Sequence, residues 1–454
     1  MKQSFLILIL SLSLTVPCFS AFGEALQGDN STTPVTTEIT KAPELSAEAA
    51  ILMDATTGEI LYEKNSKSKM YPASITKIMT VLLALEKGNL NDTVTFSHDA
   101  VYSIEPGSAH IAMQEGEQIT LEQALYGILL RSANEVANAV GEYVDGSIPT
   151  FAQHMTQRAK ELGCESTNFL NANGLFDENH YTTAYDMACI ARALLKQEAY
   201  QKMMSNTYYE IPPTNKQTET RYLHGQHQML NPKSIYYYEY ATGGKTGYTW
   251  EALNTLVTFA KKGDTQLIAV VLKCKGAEHY VDSKALFEYG FSNFQTVKVF
   301  SAQDYSKTID VVETYKNKTT TLGSIQVVPK EDVYKTIPAN TTLSDLKIDV
   351  NCPETIDAPI LEGQEIGTIT AKTGKDTITT SFVAQSAVAA TSDEARLAQE
   401  KESKAKLLKT IGIVSLGILL SCLIVFGVTR TIGHLKRKKR RKRLRTSRRK
   451  KYRR

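Results

Sequence analysis

The chain has 454 residues, length for two or three domains each with its own core, and its 42% apolar content is that of a globular protein rather than a disordered or fibrous one. The net charge of +4 conceals two regions: the last nineteen residues, Lys436 to Arg454, carry fifteen Lys or Arg and no acid, and without them 37 basic residues face 48 acidic ones, a net of −11. Of the six cysteines, Cys18 and Cys422 fall in hydrophobic end segments, and Cys164, Cys189, Cys274 and Cys352 are scattered without C-x-x-C spacing, which excludes a disulfide-stapled scaffold and a zinc-thiolate site.

Residues 1–25 read as a secretory signal peptide: Lys2, an apolar run from Phe5 to Leu14, then small residues at Ser20, Ala21 and Ala25. A polar lead-in, 26–43, follows. Ala49 to Met53 and Glu59 to Tyr62 flank Asp54-Ala55-Thr56-Thr57-Gly58, the pattern of a hairpin. Tyr71-Pro72-Ala73-Ser74-Ile75-Thr76-Lys77 opens a buried helix whose apolar residues at 75, 78, 79, 82 and 85 recur at helical spacing.

Helical patterns dominate from 90 to 200. Thr120-Leu121-Glu122-Gln123 forms a capping box ahead of Leu121, Ala124, Leu125, Ile128 and Leu129, and a second helix runs from Glu135 to Val144. Strand patterns return at Tyr208–Ile211, Leu253–Ala260 and Gln266–Leu272, and a closing helix spans Ala285–Phe294. Strands on both sides of a helical block predict one sheet covered by helices, an α/β (α+β) unit over 44–295. Short alternating strands over 297–385 predict a small all-β domain. A charged stalk, 386–409, leads to the twenty uncharged residues Thr410–Thr429, enough to cross about 30 Å of hydrocarbon. Residues 430–454 are the basic tail.

Three short motifs carry chemistry. On a helix Ser74 and Lys77 are neighbours, so the amine can reach the hydroxyl and, if burial and nearby cations keep it neutral, can take its proton. Taken singly, Ser74-x-x-Lys77 is a capping serine and a solvated lysine, Ser132-Ala133-Asn134 is a cap, and Lys245-Thr246-Gly247 is a turn before a strand. Together and in this order they match the signature of serine penicillin-binding proteins and β-lactamases, with Ser-Ala-Asn where some members have Ser-Asp-Asn.

The resemblance extends through Leu129 to Ala137, through Asn173-Gly174-Leu175 with His180 to Ala188, and through Gly243 to Thr249. These stretches resemble the low-molecular-mass penicillin-binding proteins that are serine-type D-alanyl-D-alanine carboxypeptidases, over about 44–295, with 297–385 similar to that family's C-terminal β domain. The resemblance implies a penicillin-binding, β-lactamase-like transpeptidase fold with a helical subdomain. It implies Ser74 as the acylated nucleophile, Lys77 as its base and Ser132 as a proton relay to the leaving amine. Asn134 would bind the substrate amide, Lys245 and Thr246 the terminal carboxylate, and the backbone N–H groups of Ser74 and Tyr248, beyond Gly247, would form the oxyanion hole. No cofactor or metal is implied. The implied partners are peptidoglycan stem peptides ending in D-Ala-D-Ala, and β-lactams as acylating inhibitors. The family's usual amphipathic anchor is replaced here by a spanning segment, and the stretch Gln226-His227-Gln228 offers no arginine for the substrate carboxylate.

Several features belong to other readings. Lys372-Thr373-Gly374 repeats the third motif but sits between two alternating runs, as a hairpin turn would. His180, His224 and His227 lack metal-ligand spacing, and no G-x-S-x-G elbow is present. The basic tail follows a spanning segment, so a cytoplasmic tail on anionic lipid explains it more simply than nucleic-acid binding does. A β-lactamase and an inactive cell-wall-binding scaffold are the alternatives to an exported, single-pass carboxypeptidase with its catalytic domain outside.

Overall fold

The computed structural model describes residues 40–301, 303–341, 347–373 and 376–451. The expected signal peptide and the lead-in up to residue 39 lie outside the described residues. The first strands are β1 (Ala49–Asp54) and β2 (Ile60–Lys64), the two arms of the expected hairpin. The helices that follow include α1 (Lys77–Lys87), α2 (Leu121–Arg131), α3 (Asn134–Asp145), α4 (Ile148–Glu161) and α5 (Ala184–Leu195). The chain then returns through β3 (Ala241–Thr249), β4 (Leu253–Lys262) and β5 (Thr265–Cys274) to α6 (Glu278–Asn293).

The five strands make one antiparallel sheet in the order β2-β1-β5-β4-β3. Both of its faces are covered, which is why β1 and β5 are almost continuously apolar. Ile51, Met53, Ile268 and Val270 point to the helical side, where α1 to α5 pack, while Ala50, Leu52, Leu267 and Ala269 point to Leu286 and Phe287 of α6. Each of the larger side chains among these, Val, Leu, Ile, Met or Phe, contributes about 1.5–3 kcal/mol on full burial. Helix α1 is buried on every side from Lys77 to Ala84 and forms the axis of the helical layer.

Helix α6 begins seven residues before the expected Ala285, because its first two turns bury polar groups that hide the helical period. The Asp282 carboxylate, 4% exposed, accepts from the Ala47 N–H at 2.7 Å and the Ser46 N–H at 3.1 Å, tying the chain ahead of β1 onto this helix.

Strand β6 (Phe294–Phe300) leads into a second unit containing β7 (Lys307–Tyr315), β8 (Lys318–Pro329), β9 (Val333–Pro338), β10 (Lys347–Asn351), β11 (Thr355–Asp357), β12 (Glu365–Thr373) and β13 (Asp376–Ala384). Six of these form a sheet in the order β10-β12-β13-β8-β7-β11, and β6 pairs with β9. The β7–β8 hairpin turns on Lys316 and Asn317, both at positive φ, as a two-residue turn between right-twisted strands demands. Asp54, fully buried at the end of β1, joins the two units by accepting from Thr296 Oγ1 of β6 and, at 2.9 Å, from Thr336 Oγ1 of β9.

From Asp393 in the expected stalk, through the expected spanning segment, to Lys451 in the tail the chain is a single helix, α7 (Asp393–Lys451), of 59 residues. Its window within Ala395–Arg441 has a mean hydropathy of 2.7 and is wholly unburied, a helix long and apolar enough to cross a membrane. Arg396, pairing with Glu313 of β7 at 2.6 Å, fixes the base of α7 to the β unit.

Candidate active site

The nucleophile candidate does not start a regular helix. Residues Ala73–Thr76 form a 3₁₀ turn, and α1 begins only at Lys77. A 3₁₀ turn eclipses side chains three residues apart, so Ser74 and Lys77 stand one above the other. Lys77 Nζ lies 3.0 Å from Ser74 Oγ, 2.7 Å from Asn134 Oδ1 and 2.6 Å from the Asn173 carbonyl oxygen. Lys77 is only 1% exposed. Burial first, and the charge of Lys245 second, hold its amine well below the ordinary lysine range, with Glu135 opposing them.

Entry to this turn is strained, with Ala73 at a φ of +51°. Gly174 accommodates it, since a Cβ there would stand 1.9 Å from the Ala73 carbonyl oxygen. The same loop is fixed from behind: Thr80 Oγ1 of α1 donates to the Ala172 carbonyl at 2.6 Å, and the Asn173 side-chain amide donates to Asn138 Oδ1 of α3 at 3.0 Å.

Helix α2 opens on the expected capping box at Thr120 and Gln123 and ends at Ser132, which caps it in the left-handed region at a φ of +58°. The break turns the chain sharply, so that Asn134 starts α3 with its carbonyl oxygen on Lys77. Ser132 Oγ is buried and has no hydrogen-bond partner among the described residues. Beside it, the Asn134 N–H donates to the Ala109 carbonyl at 2.8 Å and Glu135 Oε1 accepts from the Ile111 N–H at 2.7 Å, so the second motif also holds the 109–113 loop. Burial raises the Glu135 carboxyl, and its Oε2 is without a partner among the described residues.

Lys245, Thr246, Gly247 and Tyr248 lie inside β3, not in a turn before a strand. β3 is the sheet's edge strand, so no further strand pairs with its outer edge among the described residues. Lys245 is 3% exposed, donates to the Thr246 carbonyl at 2.7 Å, and is lowered by burial to about 7. Gly247 is where the strand meets Ser74: a Cβ there would be 2.4 Å from Thr255 Oγ1 and 2.9 Å from the Ser74 nitrogen. Gly244 has a similar reason, since its Cβ would be 2.7 Å from His227 Nε2.

His227 is buried under β3, bonded to Thr258 Oγ1 at 3.1 Å, and kept neutral by burial and by Lys245, with a pKa lowered to about 3. His180 lies between Thr76 Oγ1 and the Leu170 N–H, lowered by burial to about 4. His224 is exposed on a separate short strand. Lys372 is exposed on β12, in the other unit, and the tip of its hairpin falls outside the described residues.

A serine with an amine base, two glycines that admit close backbone approach and an open strand edge make a site for acyl transfer. A D-alanyl-D-alanine carboxypeptidase family model matches residues 36–276, over half of the chain. The chain belongs to the serine-type D-alanyl-D-alanine carboxypeptidases. The C-terminal domain of penicillin-binding protein 5 matches residues 294–390. The enzyme is 34% identical over 345 residues to the D-alanyl-D-alanine carboxypeptidase DacF of Bacillus subtilis, covering 74% of this chain and 84% of the relative. It is 31% identical over 346 residues to DacC of Escherichia coli, covering 72% and 80%. Among solved structures it resembles penicillin binding protein 5 of Haemophilus influenzae, with a TM-score of 0.61 at 27% identity over 77% of this chain and all of that one. The family acts on peptidoglycan peptides ending in D-Ala-D-Ala and binds β-lactams, and the apolar helix within α7 is consistent with a membrane anchor.

The carbonyl of Asn173 was not legible as a site group. A backbone acceptor has no side-chain signature, and the only trace was the Asn173-Gly174-Leu175 stretch among the resembling residues.

Proposed function

We propose that this carboxypeptidase removes the terminal D-alanine through an ester on Ser74, with Lys77 as the base. The contact between Lys77 Nζ and Ser74 Oγ carries this reading. A neutral amine has two hydrogens and one lone pair. Asn134 Oδ1 and the Asn173 carbonyl are both acceptors, so they take the two hydrogens and leave the lone pair to the Ser74 hydroxyl. As Ser74 Oγ bonds to the penultimate carbonyl carbon, its proton passes to Lys77, and the backbone N–H groups of Ser74 and Tyr248 stabilise the oxyanion. Collapse breaks the amide bond, and Ser132 relays the proton to the departing D-alanine amine. Water then cleaves the ester with the same base.

Lys245 and Thr246 hold the substrate's terminal carboxylate, and Gly247 lets β3 lie against Ser74. Asn134 binds the substrate's amide in addition to orienting Lys77. β-Lactams acylate the same serine. The catalytic domain is assigned to 44–295, the β domain to 297–385, the stalk to 386–409, the span to 410–429 and the tail to 430–454. The chain is exported behind its signal peptide with the catalytic domain outside and the tail, by its positive charge, cytoplasmic on anionic lipid and not on nucleic acid. The test is release of D-alanine from a peptide ending in D-Ala-D-Ala by the wild type and by Ser74→Ala, which is expected to release none.

A further inference from the structure

Two thiols outside the catalytic site meet in the helical layer. Cys164 lies just past the end of α4, Cys189 lies on α5, and both are free. Cys164 Sγ stands 3.5 Å from the carbonyl oxygen of Asp186, one helical turn before Cys189, whose side chain leans back over that turn. The two thiols are hydrogen-bonded to each other. Spacing in the sequence hides the pair, because only the fold brings its members together.

Other contacts already fix the two segments to one another. The Asp186 carboxylate accepts from the Ser166 N–H at 2.9 Å and from Thr167 Oγ1 at 2.6 Å, which clamps the chain after Cys164 to the first turn of α5. From this clamp the chain runs through Asn173, whose carbonyl holds Lys77, and through His180, bonded to Thr76 Oγ1, before it returns to α5. A bond between the sulfurs would close that catalytic loop at its base.

The two thiols differ in access. Cys164 is 5% exposed, whereas Cys189 is partly exposed and lines a cavity of about 360 Å³. Arg158 of that cavity pairs with Glu86 at 2.8 Å and with Glu161 at 3.2 Å. Its other two cations, Arg192 and Lys196, add to the charge: Arg192 donates to the neutral carbonyls of Ala55 and Thr56 at 2.9 and 2.7 Å, and Lys196 stands at the C-terminal end of α5. Three cations against two carboxylates leave the entrance positive. The hydrogen bond from Cys164 first, with Tyr185 and Arg192 after it, holds the Cys189 thiol below the ordinary cysteine range against burial and Asp186. The same bond first, and burial second, raise Cys164. That bond ends once Cys189 is modified.

We propose that Cys189 and Cys164 form a thiol–disulfide exchange site for small anionic disulfides, closing to a Cys164–Cys189 disulfide that staples the loop carrying Asn173. The Cys189 thiolate attacks one sulfur of a disulfide R–S–S–R and expels R–S⁻, leaving a mixed disulfide on Cys189. Cys164 then gives up its proton, attacks the Cys189 sulfur and expels the second R–S⁻. The cysteine pair loses two electrons and two protons, and the small disulfide gains both to leave as two thiols.

No Lys or Arg lies between Lys160 and Arg192, so trypsin releases both cysteines in one peptide, 161–192. The test exposes full-length enzyme in detergent to oxidised glutathione, quenches samples over time with an alkylating reagent, and follows this peptide by mass spectrometry. Wild type is expected to show glutathione on Cys189 first, and then a peptide about 2 Da lighter than the dithiol that takes up no alkylating reagent. Cys164→Ala should instead accumulate the mixed disulfide on Cys189. Closing the loop restricts the unfolded chain, so oxidised wild type is expected to melt about 5–10 °C higher, a gain that dithiothreitol reverses and that needs no variant to measure. A peptide that stays a dithiol while Cys352 becomes modified, a mixed disulfide that persists on Cys189 in wild type, or an internal disulfide without a rise in melting temperature would overturn the proposal.

Discussion

Lys77 Nζ stands 3.0 Å from Ser74 Oγ, with both of its other hydrogen-bond partners pure acceptors. A lysine held in this way has a fixed orientation rather than a solvated charge, as the proposed base requires. Lys77→Ala is therefore expected to slow acylation by about 10²–10⁴-fold, the usual worth of a positioned base, without unfolding the protein. Stopped-flow acylation by a chromogenic β-lactam measures it. An unchanged rate constant assigns the base elsewhere.

The two buried lysines set the pH dependence. As the proposed base Lys77 works when neutral, and its pKa is lowered, so acylation is expected to rise as pH increases through that lowered value and to stay high above it. As the proposed carboxylate binder Lys245 works when charged, and burial brings it to about 7, so free enzyme is expected to lose that charge as pH passes about 7. Bound carboxylate stabilises the charged form. The alkaline fall is accordingly expected in kcat/KM and to be displaced to higher pH in kcat. Lys245→Arg, whose charge persists, should remove the alkaline limb from kcat/KM, and coincident profiles for kcat and kcat/KM would contradict the assignment.

Gly247→Ala places a methyl group 2.9 Å from the Ser74 nitrogen and 2.4 Å from Thr255 Oγ1. The strand must move away from the nucleophile. A displacement of about 1 Å at a reacting centre costs on the order of 10²-fold, which is the loss expected in kcat/KM with melting changed much less. Lys372→Ala, in the copy of the motif on β12, should leave kinetics unaltered, and a larger effect there than at Gly247 would show the wrong copy to be catalytic.

Much of this site was legible because its motifs are side-chain chemistry at short spacing: Ser74 with Lys77, Ser132 with Asn134, and Lys245. The sheet was legible through the apolar runs of β1 and β5, which read as strands of one sheet covered by helices. What escaped was backbone geometry. Nothing in Ala73-Ser74-Ile75-Thr76 distinguishes a 3₁₀ turn from a first α-turn, since the tighter winding comes from Ala73 being pressed against Gly174. The start of α6 escaped because Asp282 is buried by partners more than two hundred residues away in sequence. The continuity of α7 escaped because a change in composition from charged to apolar to basic marks changes of surroundings, not of backbone.

Glu135 shows the same limit, as a buried carboxyl whose value lies in two backbone donors. Glu135→Ala leaves the Ile111 N–H, and the longer contact from the Met113 N–H, without an acceptor. The expected cost is about 1–3 kcal/mol of stability. Glu135→Gln, which keeps the acceptor oxygen, should recover most of it in thermal unfolding. Equal destabilisation by both substitutions would show that the charge, not the acceptor, is what matters.

Ending the chain after residue 404 keeps the contact of Arg396 with Glu313 and removes the apolar part of α7. The product should be soluble without detergent and retain wild-type kcat/KM. Loss of activity with retained folding would give α7 a part in catalysis.

The most direct test of the account is intact-mass spectrometry of wild-type enzyme and Ser74→Ala during exposure to penicillin, with the modified peptide sequenced. A cleaved stem peptide releases D-alanine and opens the ester to water, whereas an opened β-lactam stays attached and obstructs that approach. The account predicts one added drug molecule on Ser74 in the wild type, persisting for minutes or longer, and none on the variant. An adduct on the variant, or rapid loss of the wild-type adduct as hydrolysed penicillin accumulates, would contradict it.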